Sequence, residues 1–314
     1  MSGVSLQGKS FLWRTTTQAA LKTMHLLQMG VGALASVILF FHDMSPILLG
    51  HKHRPTHTIL THMAVANLFV LLSSGISHTM AAFVLENFLL SLGCKFIYYI
   101  QKVACSTTLC STCVLSAYQF LTLMPRRAER TVLIGRAPRF TGSSCCICWI
   151  LNVLMYIHVP LKITGPQDMH NYTDNRGNWF CSSSGPHWGL GYLWSISDAM
   201  FIGLMIWSSG SMVFLLHRHL KRVQYIYTST EHHKCSPEDK ATHTILMLVV
   251  TFVIFYVMNS IFVFYISAFS DFHLWLLQTS SFLVSCFPTI SPFLLLLRDP
   301  RPPRFCPWVV RNYA

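Results

Sequence analysis

Charge is what this chain of 314 residues has least of. Asp, Glu, Lys and Arg together make up 11% of it, against roughly a quarter in soluble globular domains. No Ser/His/Asp arrangement, no Gly-rich phosphate loop and no paired carboxylate set stands at the spacing that chemistry requires. The chain therefore reads as a non-enzyme, and no cofactor is expected. Internal repeats are absent too, which argues against a transporter built from repeated halves with midplane ion ligands. No low-complexity tract or long Pro/Gly/Ser linker divides it, so residues 1–314 read as one domain. The first residues lack an apolar run ending in a small-residue cleavage site, and no cleaved signal peptide is expected.

What is abundant is apolar length. Hydrophobic residues account for 52% of the chain, and the mean hydropathy is +0.46. A helix crossing a bilayer needs roughly 20 mostly apolar residues. Seven segments meet that need, near 23–43, 57–83, 96–123, 142–163, 190–216, 243–268 and 274–297. Seven such stretches exceed what a soluble core uses. The expectation is an all-α membrane protein, a seven-transmembrane helix bundle of rhodopsin-like architecture.

The net charge of +12 would suit a nucleic-acid binder, but its placement points to a membrane. One set of connections, with the C-terminal tail, holds Lys52, Arg54, Arg126, Arg127, Arg130, Arg136, Arg139, Arg218, Lys221, Arg222, Lys234, Lys240, Arg298, Arg301, Arg304 and Arg311. The opposite connections hold Lys95, Lys162 and Arg176. The Lys/Arg-rich side is cytoplasmic. The short N-terminal tail, with Lys9, Arg14 and Lys22, dissents but is outvoted by the loops. The N-terminus is expected outside and the C-terminus inside. The basic face fits the anionic inner leaflet and an intracellular partner, with no nucleic acid needed.

Asn171-Tyr172-Thr173 is a glycosylation sequon, and it falls in the loop expected outside between spans four and five. Of 11 cysteines, Cys94 and Cys181 sit at expected extracellular positions, where an oxidising medium lets them bridge. The alternative is two free thiols. Cys110-x-x-Cys113 and Cys145-x-x-Cys148 have metal-ligand spacing, but in apolar helices cysteine packs as a small hydrophobe. Cys306, in the basic tail, is a candidate for palmitoylation.

Histidines raise the case of a membrane di-iron oxidase. His51, His53, His57 and His62 cluster near the first inner connection, and His217, His219, His232 and His233 follow later. Pro55 interrupts any helix joining His53 to His57, and the later histidines do not repeat a two-box pattern. Solvated or headgroup-facing histidine is the ordinary reading.

Charges inside spans are costly and usually face the bundle interior. Lys102 in span three and Asp198 in span five both fall in the outer half. Tyr98, Gln101, Lys102 and Cys105 recur at three- and four-residue steps and share a helix stripe. Asn259 and Gln278 lie at comparable depth in spans six and seven. Together these residues outline a ligand cleft with a few orienting polar groups. The competing reading makes Lys102 and Asp198 an interhelical ion pair, and a pair lining a pocket would satisfy both. Asp43, near the inner end of span one, reads as an interface residue.

Seven helices, an external N-terminus and basic inner loops describe a G-protein-coupled receptor. Several rhodopsin-class markers are missing: no Asp-Arg-Tyr follows span three, no Asn-Pro-x-x-Tyr closes span seven, and Asn67 stands where a sodium-binding Asp would be. Amine recognition is not expected, because Gln101 occupies the position of the required acid. The motifs resemble instead the vomeronasal type-1 receptor family. They include Arg54-Pro55-Thr56, Ala66-Asn67-Leu68-Phe69-Val70-Leu71-Leu72-Ser73, Thr112-Cys113-Val114-Leu115-Ser116 and Cys148-Trp149-Ile150-Leu151-Asn152. Span five matches from Asp198 to Phe214, and span seven as Cys286-Phe287-Pro288-Thr289-Ile290-Ser291-Pro292-Phe293 followed by Arg298-Asp299-Pro300.

That resemblance implies a pheromone receptor of the plasma membrane that binds small volatile or steroid-like molecules and signals through an inhibitory-class heterotrimeric G protein. It carries over Cys94 and Cys181 as the bridge, Asn171 as the glycan site and Asp198 within its motif. Arg126, Arg127, Arg218, Lys221 and Arg222 border the expected G-protein face, or serve only as topology determinants. Pro288 and Pro292 are a candidate hinge. Two departures stand out: Ala104-Cys105-Ser106 replaces the family's Gly-Arg-Gly, and Ser36 replaces an Asn. Lys102 is expected to take over the lost arginine's pairing with Asp198. A divergent receptor with lost or altered coupling is the alternative.

Overall fold

A computed structural model describes residues 2–48, 55–82, 88–123, 128–164, 182–183, 188–226, 237–268 and 274–298, with side chains described mainly in the central turns of the long helices. Seven long helices result: α1 (Ser2–Leu48), α2 (Pro55–Ala82), α3 (Phe88–Leu123), α4 (Ala128–Tyr156), α6 (Trp188–Ile226), α7 (Pro237–Ala268) and α8 (Leu274–Arg298). A one-turn helix, α5 (Val159–Lys162), continues α4. Each expected span maps onto one long helix, except the fourth, which runs on through α5 to residue 163. The second expected span ends one residue past α2. α1 begins 21 residues before the span expected for it.

Among the described residues, six helices are long and apolar enough to cross a membrane: the stretches Thr23–Pro46, Pro55–Ser77, Thr141–Leu161, Ile196–Leu215, His243–Phe262 and Thr279–Leu297. α3 is not among them, and its place in the bundle accounts for that. It packs against α2, α4, α6 and α7, so its middle faces protein instead of lipid. Ser106, Thr107, Thr108, Ser111, Thr112 and Ser116 are all buried there. Small residues let neighbouring backbones approach, and a hydroxyl can return its proton to the preceding turn. Thr112 donates to the Thr108 carbonyl at 2.7 Å and Ser116 to the Thr112 carbonyl at 3.0 Å.

Around α3, α1 contacts α2 and α8, α7 contacts α8, and α6 contacts α7. Leu39, Met63, Leu109, Leu115, Met205, Met212, Leu248 and Phe252 form the shared apolar core. The outward faces are equally apolar: Leu27, Leu34, Ile150, Leu154, Trp207 and Phe214 are exposed. An apolar surface this extensive fits a lipid solvent. Gly32 marks a close approach of α1 to α8, since a Cβ there would stand 2.8 Å from Thr289 Oγ1 and 3.1 Å from its Cα.

Buried polar side chains tie the helices together. Asn67 on α2 donates to Ser291 on α8 at 2.8 Å and accepts from Thr108 on α3 at 3.2 Å. Ser106 donates to Asn152 on α4 at 2.8 Å. The departure Ala104-Cys105-Ser106 is therefore built in: Ala104 is 1% exposed, and Ser106 holds α4. Ser36 is also buried, and its hydroxyl has no partner among the described residues.

Two expectations are corrected here. Cys110 and Cys148, read as packed thiols, form a disulfide joining α3 to α4, because the two helices place them opposite each other. Cys113 and Cys145 are buried and free, as packing predicts. His57, read as solvated, is half-buried, with Nδ1 2.9 Å from Asp43 Oδ1. Asp43 is 2% exposed and is the interface residue expected. No group of three or more His, Cys, Asp or Glu side chains among the described residues is arranged to hold a metal ion.

Candidate functional site

The site is built where α3, α6 and α7 meet, with α4 and α8 alongside. Two turns of α3 set Tyr98, Lys102 and Cys105 on one stripe, as their spacing requires. Lys102 Nζ lies 5.4 Å from the centroid of the Tyr98 ring, within cation–π range. Both Lys102 and Cys105 are half-buried.

Asp198 arrives from α6. Tyr256 on α7 donates to its Oδ2 at 3.0 Å, and its Oδ1 is buried with no hydrogen-bond partner among the described residues. Aromatic packing fixes Tyr256. Its ring stacks on Phe252 at 6.0 Å, and Phe252 meets Phe287 of α8 edge-on at 4.6 Å. That run of rings aims the phenol across to α6.

The expected Lys102–Asp198 ion pair is not formed: no such bridge joins them among the described residues. Lys102 rests on a ring of its own helix, and Asp198 takes a neutral donor. The two charges are still neighbours. Cys105 and Tyr156 each lie within electrostatic reach of both. Tyr156, at the end of α4, is buried against Val103 and Val159.

Asn259, one turn beyond Tyr256, accepts from Ser280 of α8 at 2.8 Å. It serves as an α7–α8 tie at the edge of the cluster. Gln101 is half-buried beside the stripe. Gln278 lies on α8, but its side chain is outside the described residues. Tyr256, Tyr156 and Ser280 were missed by sequence reasoning. The available signal was faint: Tyr256 precedes Asn259 by three residues, so a phenol and an amide share one face of an otherwise apolar helix.

Other expected site residues fall elsewhere. Cys94, Lys221 and Arg222 lie on helices α3 and α6 with side chains outside the described residues. Asn171, Cys181, Arg126 and Arg127 lie outside the described residues altogether. Arg218 is exposed in the C-terminal part of α6. β1 (Ile163–Thr164) pairs antiparallel with β2 (Ser182–Ser183), Thr164 opposite Ser182, and β1 contacts α3.

The model of the vomeronasal organ pheromone receptor family matches residues 19–307. The chain belongs to this family. It is 38% identical over 287 residues to the human vomeronasal type-1 receptor 4, covering 90% of this chain and 95% of that one. To the human vomeronasal type-1 receptor 2 it is 36% identical over 285 residues, 90% of this chain and 72% of the other. The zebrafish (Danio rerio) olfactory receptor class A-like protein 1 is 30% identical over 281 residues, 86% of each. The vomeronasal family is one of receptors, not enzymes, and this vomeronasal-type chain is a multi-pass membrane receptor with chemosensory relatives. A ligand and a G protein are the partners such a receptor implies.

Proposed function

We propose that this vomeronasal-type receptor, acting as a single domain over residues 1–314, detects small volatile or steroid-like molecules in the outer half of its bundle and activates an inhibitory-class G protein. The observation that carries the reading is the cluster of Lys102, Asp198 and Tyr256. Two ionisable groups stand inside apolar spans without pairing to each other, which is expensive unless something else uses them. Tyr98, Gln101, Lys102, Cys105, Asp198, Asn259 and Gln278 are the proposed ligand contacts, with Tyr256 and Tyr156 added.

Orientation follows the basic loops: N-terminus outside, C-terminus inside, and α3 as the seventh span, polar because protein surrounds it. Its 36 residues give about 54 Å of helix, more than the bilayer needs. On the outer side, Cys94 bridges Cys181 and Asn171 carries a glycan. The ladder pairing Ser182 with Thr164 beside α3 supports that bridge, since Ser182 directly follows Cys181. Arg126, Arg127, Arg218, Lys221 and Arg222 form the G-protein face.

Ligand binding shifts an inactive–active equilibrium by its differential affinity for the two states. A ligand that engages Asp198 competes with the Tyr256 bond and so changes how α6 meets α7. The test is ligand-stimulated guanine-nucleotide exchange on an inhibitory-class G protein, using membranes bearing the surface-labelled receptor and pooled volatiles and steroids. The expected result is a pool-dependent rise that Asp198→Asn abolishes. Silence at confirmed surface display would favour a second reading, a receptor with altered coupling, which the replacement of Gly-Arg-Gly by Ala104-Cys105-Ser106 motivates.

A further inference from the structure

α6 has two faces, and the outward one changes character along its length. Met205, Ser208, Ser209 and Met212 are buried, on the side where α6 packs against α3 and α7. The opposite side carries Gly203, Trp207, Gly210 and Phe214 at four- and three-residue steps, which keeps them on one stripe. Trp207 is 72% exposed and Phe214 66%. A Cβ built at Gly203 or Gly210 would meet nothing within 4 Å, so a notch lies on each side of the indole.

The same steps continue the stripe into charge. His217 follows Phe214 by three residues and Arg218 by four, and both are exposed. Lys221 stands one turn further at the same register. The ion pairs of the described residues involve neither His217 nor Arg218. The apolar stretch ends at Leu215, while the helix runs on to Ile226. Positions 217–221 therefore stand about 3–9 Å past the apolar stretch, a depth that overlaps the headgroup layer, roughly 5–8 Å thick on each side. Basic residues at the cytoplasmic end of a span attract anionic lipid, and a guanidinium matches phosphate geometry. Because this stripe turns away from α3 and α7, its charges meet lipid before they meet another helix.

We propose that the outward face of α6 is a binding site for an anionic phospholipid of the cytoplasmic leaflet. His217, Arg218 and Lys221 hold the phosphate-bearing headgroup, and an acyl chain lies along the notches beside Trp207. The leaflet rests on the orientation proposed above. Arg218 and Lys221, at the edge of the proposed G-protein face, thereby gain a partner on the lipid side, and α6 an anchor at that end.

The experiment places the purified full-length receptor in nanodiscs of phosphatidylcholine and phosphatidylserine, with brominated acyl chains on one lipid or the other. Bromine quenches a neighbouring indole, and Trp207→Phe subtracts the signal of the other tryptophans. At equal mole fraction, brominated phosphatidylserine is expected to quench Trp207 severalfold more than brominated phosphatidylcholine. The triple variant His217→Gln, Arg218→Gln, Lys221→Gln should erase that excess while its melting curve stays in place. A control triple in the C-terminal tail, Arg298→Gln, Arg301→Gln, Arg304→Gln, should preserve it. Equal quenching by the two lipids overturns the inference, as does an excess that survives the α6 triple or falls equally with the tail triple. Guanine-nucleotide exchange lost in the α6 triple without any lipid preference at Trp207 also overturns it and gives these residues to the G protein. Nanodiscs offer phosphatidylserine to both faces, so the quenching is independent of insertion. Staining of a C-terminal epitope on intact cells would instead overturn the orientation reading and the cytoplasmic placement, leaving the lipid preference itself in place.

Discussion

Two aspartates lie within the apolar spans of this receptor, and their surroundings differ in kind. Asp43, near the C-terminal end of α1, is 2% exposed and meets His57 of α2 at 2.9 Å, with His42 at 3.5 Å. Asp198, in the N-terminal half of α6, is half-buried and meets a phenol, while a lysine nearby stays unpaired with it. Each has one oxygen without a hydrogen bond among the described residues. What separates them is whether a basic group from a neighbouring helix closes the charge. A carboxylate closed by an imidazole holds two helices together. One left with a neutral donor, beside a cation that rests on a ring of its own helix, is closed by no basic group among the described residues.

The sharpest way to break this comparison is His57→Ala. It strands Asp43 with a single, longer contact to His42, and removing one partner of a buried pair costs about 3 kcal/mol or more. Thermal denaturation of the purified receptor should show that loss. Replacing both, as Asp43→Leu with His57→Phe, should recover much of it, because a packed apolar pair can match a buried ionic one. Next in size is Asn67→Ala, which orphans the hydroxyls of Ser291 and Thr108 in a fully buried place and should cost about 2 kcal/mol. By contrast, Asp198→Asn should change stability by less than about 1 kcal/mol, while abolishing ligand-stimulated nucleotide exchange. Tyr256→Phe should have the smallest effect on folding, about 0.5–1 kcal/mol for one half-buried hydrogen bond, read by the same melting curve. If Asp198→Asn instead destabilised the fold as much as His57→Ala, the two carboxylates would be equivalent and the contrast lost.

Much of the bundle could be read from the chain. Apolar runs located the seven long helices, because lipid-facing helices declare themselves by composition. α3 was located as well, although its surroundings are protein. Its serines and threonines are what a central helix carries, yet hydropathy alone under-reads such a helix. Interhelical pairings were less legible. The stripe Tyr98-Lys102-Cys105 follows from helical spacing, but Tyr256 donates to a residue 58 positions away, and no periodicity encodes which helix faces turn toward each other. The Cys110–Cys148 bond was missed for the same reason. The visible pattern was Cys-x-x-Cys within one helix, whereas the bond runs between helices 38 residues apart. Asp43 was read correctly as an interface residue, but its partner was hidden among histidines that look solvated in sequence.

The bond between Cys110 and Cys148 also has a mechanical meaning. It rivets the central helix to α4, and Ser106 with Asn152 adds a second fastening a turn away. α3 and α4 then form a stationary post. Beside the post, among the described residues, a phenol–carboxylate bond latches α6 to α7 and a serine–amide bond latches α7 to α8. If Asp198 takes a ligand, a stroke started there would cross the α6–α7 seam that the phenol–carboxylate bond spans, and the post would give it something to push against.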